Sequence, residues 1–486
     1  MVTTLRNGWN TMLNKFMVYI VLTLIVAIAV YTYCDLALFI EKKELSTFPN
    51  TKGYVSDEVW YVNSARNILH KIFNLVPSTS PIRASIIFTS KESLLRAETL
   101  ANFYDIKIIA GANVFSKLNV LYVEAQSIES ITNFAKNVNA GDIVYGWIVG
   151  DHENINNYLN LEHPPTAKYV IALFIYMLGD KPFIWRIPSI IMGVLTVIFT
   201  FLLVYELTKS QELGLIAAAV VAVDPLIKVM SAVALLDIYV AAFTTLTLYV
   251  AAKGRFKEAA LLLGFASTFK FTAVIAAIPL VFMYLNHMFK KGFKTSDVIS
   301  STTYFVILMI LSFIFFQLLV SVPFILRIGL GEWLKQGIFG AISWHLSAKC
   351  VDPTKCPPYS APWEWFFGIN SFVLYLSPNI PAQGFVPAYA ISFILMWFAL
   401  PSMVNDRTSR KAWYMIFGIF LGYLIIWLLG SRTQYSFYAV QLTPLVYSYL
   451  IIQLHEYLNR ENIIETINLW RKLALGLEKT IFSIFR

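Results

Sequence analysis

The 486-residue sequence is 57% hydrophobic and 14% charged, with 37 Phe, 26 Tyr and 12 Trp. Soluble domains carry roughly a quarter charged residues, so this balance, with a mean hydropathy of +0.63, excludes a soluble enzyme and indicates a polytopic membrane protein. The net charge of +9 does not indicate nucleic acid, because the basic residues sit in short clusters between apolar runs, as in loops facing an anionic cytoplasmic leaflet.

Arg6 and Lys15 precede the first apolar run, 16–40, which predicts a cytoplasmic N-terminus. That run is long enough to span, and no small-residue cleavage site follows it, so it reads as an anchor and not as a removed signal. Residues 41–181 are then external. Ser56-Asp57-Glu58 opens a predicted amphipathic helix over 57–73, with Val59, Val62, Ala65, Ile68, Leu69 and Ile72 on one side. Two adjacent acids just outside a bilayer are costly to hold and suited to taking a proton. They are equally a common way to open a helix, with Asp57 as cap and Glu58 favoured by the dipole.

Residues 81–150 change to a soluble pattern. Strands are predicted at 84–89, 106–110, 118–124 and 142–149, with helices at 92–104 and 128–138. That β-α-β-β-α-β order is the ferredoxin-like split unit. At about 65–70 residues it is near the lower limit for independent folding, and it contains no phosphate loop, metal cluster or nucleophile signature. Partner or acceptor recognition and a purely structural role are equally compatible with it.

Leu161-Glu162-His163-Pro164-Pro165 leads into Lys168 and a short apolar run, 169–178. That run is too short to span, so it is predicted to lie flat, its Pro-Pro marking the helix start. Spans follow at 183–207, 213–226, 238–252, 259–268, 271–289, 302–322, 385–401, 412–429 and 438–454, giving about ten in all, with nine to eleven as the range. This register puts Lys253-Arg255-Lys257, Lys290-Lys291-Lys294 and Arg407-Arg410-Lys411 inside, whereas a spanning 169–178 would turn the first two clusters out. The tail, with Ile463, Ile467, Trp470, Leu473, Leu477, Ile481 and Phe485, reads as an interfacial amphipathic helix. Cys350 and Cys356 flank a Pro-rich external loop, a spacing that suits one small disulfide or two free thiols.

This topology delivers Asp57, Glu58, Glu162, His163, Lys168, Asp237, Lys270, Arg327 and Arg432 to one boundary of the membrane. Each has an ordinary reading: Asp237 as a cap, Lys270 as a snorkelling lysine, Arg432 on a headgroup, His163 as a loop residue. Acids and bases converging on one boundary are harder to explain that way, since ionisable groups in membranes usually pair inside a cavity. No His/Cys/Asp spacing meets a metal signature.

Taken together, Asp57-Glu58, His163-Pro164-Pro165 with Lys168, the run from Gly179 through Trp185-Arg186 to Pro188, and Leu235-Leu236-Asp237 resemble the protein O-mannosyltransferase family. More broadly, the chain resembles membrane glycosyltransferases of the C-type fold that use polyprenyl- or dolichyl-phosphate sugars. The resemblance implies Asp57 as general base and a flat second external helix at the His-Pro-Pro motif, in line with the charge reading. The 81–150 insert is a departure from ordinary members, and 327–384 shows no large sugar-binding domain.

The expectation is therefore an inverting transferase that moves a hexose, read as mannose, from lipid phosphate to a protein or glycan hydroxyl. Asp57 and Glu58 are the expected catalytic pair. Glu162, His163, Lys168 and Asp237 are expected on substrate, and Lys270, Arg327 and Arg432 on the lipid phosphate. No metal is expected to be essential, though a divalent ion is compatible. The expected organisation is 1–80 (first span and acidic pair), 81–150 (insert), 151–454 (transferase core) and 455–486 (cytoplasmic tail), in a plasma membrane, with a homo- or heterodimer also compatible. A transporter or flippase is the main alternative, although neither an internal repeat nor paired broken helices support it. A non-catalytic subunit of a complex is the third.

Overall fold

The structure is a computed structural model that describes residues 2–77, 81–347, 358–401, 407–458 and 460–484. Cys350 and Cys356, with the disulfide expected between them, lie outside the described residues, and Cys34 is a free thiol.

The chain starts with one long helix, α1 (Val2–Ser46), followed by the short α2 (Glu58–Asn67). The insert comes next: β1 (Ile82–Ile87), α3 (Lys91–Leu100), β2 (Lys107–Ala110), β3 (Val120–Ala125), α4 (Ile128–Asn137) and β4 (Asp142–Tyr145). Ser90 and Ser127 cap α3 and α4 by accepting from Ser93 N and Ser130 N. The sheet order is β2-β3-β1-β4 with every neighbour antiparallel.

Strand alternation decides what each face of this sheet covers. Leu121 and Val123 of β3 face α3 and α4 and join Leu94, Ala97, Ile131 and Phe134 in one core. Val120 and Tyr122, pointing the other way, pack with Val62 of α2, with Leu69 in the turn after it, and with Trp147 and Trp185. The insert is thus seated on the rest of the protein by a whole sheet face.

A buried ion pair reinforces that seat. Arg66 of α2 donates to Asp180 through Nε (2.6 Å) and Nη2 (3.3 Å), and the same carboxylate accepts from Trp147 N (2.8 Å) and Trp185 Nε1 (2.6 Å). Asp180 lies against Gly146, which has φ +111° and leaves no room there for a Cβ.

The membrane part follows: α5 (Thr166–Leu178), α6 (Pro182–Thr208), α7 (Gln211–Val223), α8 (Pro225–Ser231), α9 (Asp237–Ala252), α10 (Phe256–Ala266), α11 (Ala277–Lys290) and α12 (Thr295–Ile328). Then come α13 (Leu330–Leu334), α14 (Gly340–Ser347), a small hairpin of β5 (Val373–Tyr375) and β6 (Ile380–Pro381), α15 (Val386–Phe398), α16 (Arg407–Leu428), α17 (Thr443–Ile452) and α18 (Arg460–Ile484).

Among the described residues, five helical stretches are long and apolar enough to cross a bilayer: 16–46, 182–208, 271–290, 295–328 and 408–428. A sixth arises if α7 and α8, bent by 61°, count as one. Asp224 and Pro225 make that bend: the Asp224 carboxylate caps α8 by accepting from Leu226 N (2.9 Å) and Ile227 N (3.1 Å). At 13 residues α5 reaches about 20 Å, short of a hydrocarbon core of about 30 Å. In α18, Ile464, Ile467, Trp470 and Leu473 remain exposed.

Candidate active site

The acidic pair divides into two unlike residues. Glu58 is fully buried, and its carboxylate accepts from Arg186 Nε and Nη2 (both 2.8 Å), Val55 N (2.9 Å) and Ala234 N (2.8 Å). Arg186, in α6, also donates to the carbonyls of Ala37 (3.2 Å) and Gly53 (3.4 Å). Glu58 and Arg186 therefore knot α1, α2, α6 and the turn before α9 together. Expected beside Asp57 in the chemistry, Glu58 has its acceptor positions filled and acts as a positioning residue.

Asp57 is the opposite case. It occupies the N-cap of α2, yet its side chain makes no capping hydrogen bond. The carboxylate is only half-buried and has no hydrogen-bond partner among the described residues. Burial, opposed by the Lys270 ammonium and reinforced by Asp237, pushes its pKa up to about 6. A base whose pKa approaches the working pH is better matched to proton transfer than an ordinary carboxylate.

Asp237 opens α9, where Lys270 Nζ donates to its Oδ1 at 2.7 Å, both side chains being buried. Lys270 Nζ also lies over the Tyr438 ring at 4.5 Å and the Phe437 ring at 5.7 Å. Tyr61, in α2, senses both carboxylates: after burial, Asp57 and Asp237 are the largest influences holding its hydroxyl well above the usual range. Asp57, Asp237, Lys270, Tyr61 and Tyr438 thus form one electrostatic cluster, drawn from four separate stretches of chain.

The other expected residues have different surroundings. Lys168 is buried and donates to the carbonyls of Asn160, Leu159 (3.3 Å) and His163 (2.8 Å), and burial, opposed by Glu162, brings its pKa down to about 7. It therefore clamps the 159–163 loop and has no donor turned to a substrate. Glu162 accepts from Tyr158 Oη and from Asn160 Nδ2 (3.0 Å). His163 packs edge-on to Tyr61, with ring centroids 5.6 Å apart, at the margin of the cluster. Arg327 is exposed in the last turn of α12 and makes no ion pair among the described residues.

Two hollows lie at the 427–434 turn, and the first of them reaches the cluster. A strongly apolar groove of about 550 Å³ runs between Phe271, Ile275, Phe313, Ile342 and Leu429, with Tyr438 in its wall, so it shares the ring that carries Lys270. On the other face of the 427–434 turn is a cleft of about 510 Å³ lined by Trp363, Glu364, Asn370, Trp427 and Arg432. There the Arg432 guanidinium lies over the Trp427 ring at 5.1 Å. Arg432 was expected on the donor phosphate, and this placement puts it in a mixed aromatic and polar cleft instead. No group of three or more His, Cys, Asp and Glu side chains able to hold a metal occurs among the described residues.

Arg186 and Asp180 entered the sequence reading only within the Gly179–Pro188 motif, with no role assigned to them, and Arg66, Tyr61 and Tyr438 were given none either. A signal existed for the first: an arginine inside an apolar run long enough to span calls for a buried partner.

Comparison with known proteins covers the part of the site that holds Asp237 and Lys270. Residues 162–318 match the family described as "Dolichyl-phosphate-mannose-protein mannosyltransferase". The polyprenol-phosphate-mannose–protein mannosyltransferase of Corynebacterium glutamicum is 33% identical over 109 residues, which is 22% of this chain and 21% of that protein. Among solved structures, ArnT from Cupriavidus metallidurans bound to undecaprenyl phosphate aligns with a TM-score of 0.43 and 16% identity, over 65% of this chain and 54% of that one. The Archaeoglobus fulgidus oligosaccharyltransferase in complex with Zn and sulfate gives 0.42 and 12% over 92% and 51%. The chain thus spans about a fifth of the curated relative and about half of these structures. The matched stretch contains His163-Pro164-Pro165, Arg186, Asp237 and Lys270, and over it the chain carries the likeness to the dolichyl-phosphate-mannose-protein mannosyltransferase family that its motifs indicated.

Proposed function

We propose that this chain is an inverting membrane glycosyltransferase that moves a hexose, read as mannose, from a polyprenyl or dolichyl phosphate to a hydroxyl of a protein Ser/Thr or a glycan on the extracytoplasmic face. The observation that carries the reading is Asp57: a carboxylate with no hydrogen-bond partner among the described residues, raised toward neutrality, and electrostatically joined to the Asp237–Lys270 pair beside an apolar groove.

The acceptor O–H gives its proton to Asp57 as its oxygen attacks the anomeric carbon. The bond from that carbon to the phosphate oxygen breaks, and its electron pair leaves with the lipid phosphate. The phosphate gains one negative charge, which Lys270 meets with the donors not used on Asp237. One displacement inverts the anomeric centre, and no covalent intermediate is needed. The groove at Phe271, Ile275 and Tyr438 takes the isoprenoid chain, and the cleft at Trp363, Trp427 and Arg432 opens on the acceptor side. In this reading Asp237 orients sugar hydroxyls, His163 and Glu162 border the acceptor, and Arg327 lies at the membrane edge of the donor path.

The proposal extends to about ten spans, counting the shorter apolar helices, with both termini cytoplasmic in a plasma membrane. It also covers the ferredoxin-like identity of the 81–150 insert, the 151–454 transferase core and the 455–486 tail. Turnover without an essential metal belongs to it too: activity lost to a chelator and restored by a divalent ion would remove that part.

The direct test is transfer of radiolabel from a polyprenyl-phosphate hexose by the purified chain. Label on an acceptor, absent in Asp57→Asn, is expected; donor translocation without transfer would substitute a flippase. Two further outcomes follow from the geometry. As protonated Asp57 cannot accept a proton, kcat/KM should fall below about pH 6. Asp237→Asn should move that limb to lower pH, because it removes a charge that raises Asp57; an unmoved limb would separate the two residues. Ile342→Trp, at an exposed groove position, should raise the donor concentration needed by about tenfold, because the larger ring fills space the lipid chain would take and displaces its apolar contacts, and an unchanged donor KM would take the lipid out of this groove.

A further inference from the structure

Asp57, Trp60, Ser64 and Asn67 follow one another at spacings of three and four, so they share one stripe of α2. Residues 152–159 lie along that stripe. Asn67 Nδ2 donates to the carbonyls of Ile155 (2.7 Å) and Tyr158 (2.8 Å), and Ser64 Oγ donates to that of Leu159 (2.6 Å). The Trp60 ring meets those of His152 and Tyr158, with centroids 4.4 and 5.5 Å apart. The chain then continues to His163, which meets Tyr61 one turn after Asp57. His152, Tyr158 and Glu162 are half-buried, as are Trp60 and Asp57, and the Tyr158 hydroxyl donates to Glu162. Burial first, then Glu162, with Asp57 also contributing, hold that hydroxyl above its usual range. Rings, a hydroxyl and a carboxylate thus border the base on the side where a hydroxyl-bearing acceptor would enter.

Residues 146–165 contain no helix or strand, so the position of these groups depends on what grips them. The α2 stripe is one grip, and the insert is the other. Asp151, just before His152, accepts from Ser116 N (2.7 Å), Ser116 Oγ (2.8 Å) and Lys117 N (2.9 Å) in the connection between β2 and β3. Asp142, at the start of β4, accepts from Asn156 Nδ2 (2.6 Å) and from Lys71 Nζ (3.2 Å). Hydrogen bonds to a charged carboxylate are stronger than neutral ones, and these two fasten the segment to the insert on both sides of His152.

We propose that Trp60, His152 and Tyr158 form the acceptor-facing wall of the Asp57 site and that the insert holds this wall in place, with Asp151 and Asp142 as positioning residues. The inference rests on the transferase reading above and assigns the insert a part in acceptor use.

Transfer kinetics of the full purified chain test it, with methyl mannoside and a threonine-rich peptide as acceptor probes and the one that takes label used throughout. Tyr158→Phe and Asp151→Ala should each raise the acceptor KM by about fivefold or more and leave the donor KM unchanged. Asp151→Asn keeps one oxygen for the Ser116 and Lys117 donors and should recover part of the loss. Glu124→Gln, which removes a carboxylate bonded to Arg83 and Lys107 within the insert, should leave both KM values in place. If the insert were only a structural prop, Asp151→Ala would lower the active fraction, and so kcat, with the acceptor KM unmoved. That result would overturn the proposal, as would an acceptor KM unmoved in Tyr158→Phe, a donor KM that rises as much as the acceptor KM, or an equal rise in Glu124→Gln. Donor left intact by the unmodified chain with both probes would remove the transferase reading itself, whereas label transfer with an unmoved acceptor KM removes only the role of the insert.

Discussion

Asp57→Asn is expected to lower transfer by about a hundred- to ten-thousand-fold while the protein stays folded. The substitution keeps the shape and removes the ability to take a proton. No capping hydrogen bond is lost, because the Asp57 carboxylate makes none among the described residues even though it occupies the N-cap of α2. Its charged form is already disfavoured by burial, so the neutral amide should leave thermal stability equal to or above that of the unmodified chain. Turnover within a few-fold of normal would move the base elsewhere. Lost activity accompanied by a lowered unfolding temperature would make Asp57 a structural residue.

One residue later the expectation reverses. Glu58→Gln should cost about 3–5 kcal/mol of stability, because it leaves the Arg186 guanidinium buried without its counter-charge. Both side chains are fully buried, so solvent cannot screen the loss. Thermal unfolding in detergent measures it, and a Glu58→Gln/Arg186→Met double variant should recover part of the deficit, since neither charge is then stranded. A single variant within about 1 kcal/mol of the unmodified chain would mean that the pair is not holding the 53–58 turn. Any activity lost by Glu58→Gln should track the folded fraction and leave the pH limb of the remaining enzyme in place.

This contrast shows where sequence reading stopped. Among the expected spans, 16–40, 183–207, 271–289, 302–322 and 412–429 fall on the described helical stretches long and apolar enough to cross a bilayer, and the shortness of 169–178 sufficed to distinguish α5 from them. The insert's strands were equally legible, because the β-branched and aromatic run Val120-Leu121-Tyr122-Val123 is a local signal and the strand forms at Val120–Ala125. Breaks were less visible. The span expected at 213–226 ends at Val223, and 271–289 begins with a 3-10 turn, Phe271–Ala276, ahead of α11. Asp57 and Glu58 carry the same chemistry at adjacent positions, and only a partner 128 residues away separates their roles. Lys168 is a similar case: its charge suggested a ligand, but the carbonyls of Asn160, Leu159 and His163 consume it. No local pattern encodes such long-range partners.

The seat of the insert has a mechanical corollary. Asp180 grips Arg66 of α2, Trp147 at the exit of the sheet and Trp185 of α6 with a single carboxylate. An antibody or ligand that grasped the outer helices and pulled would not swing a tethered ornament. It would load the same short helix whose N-cap is Asp57, so force applied to the insert reaches that carboxylate through one buried joint.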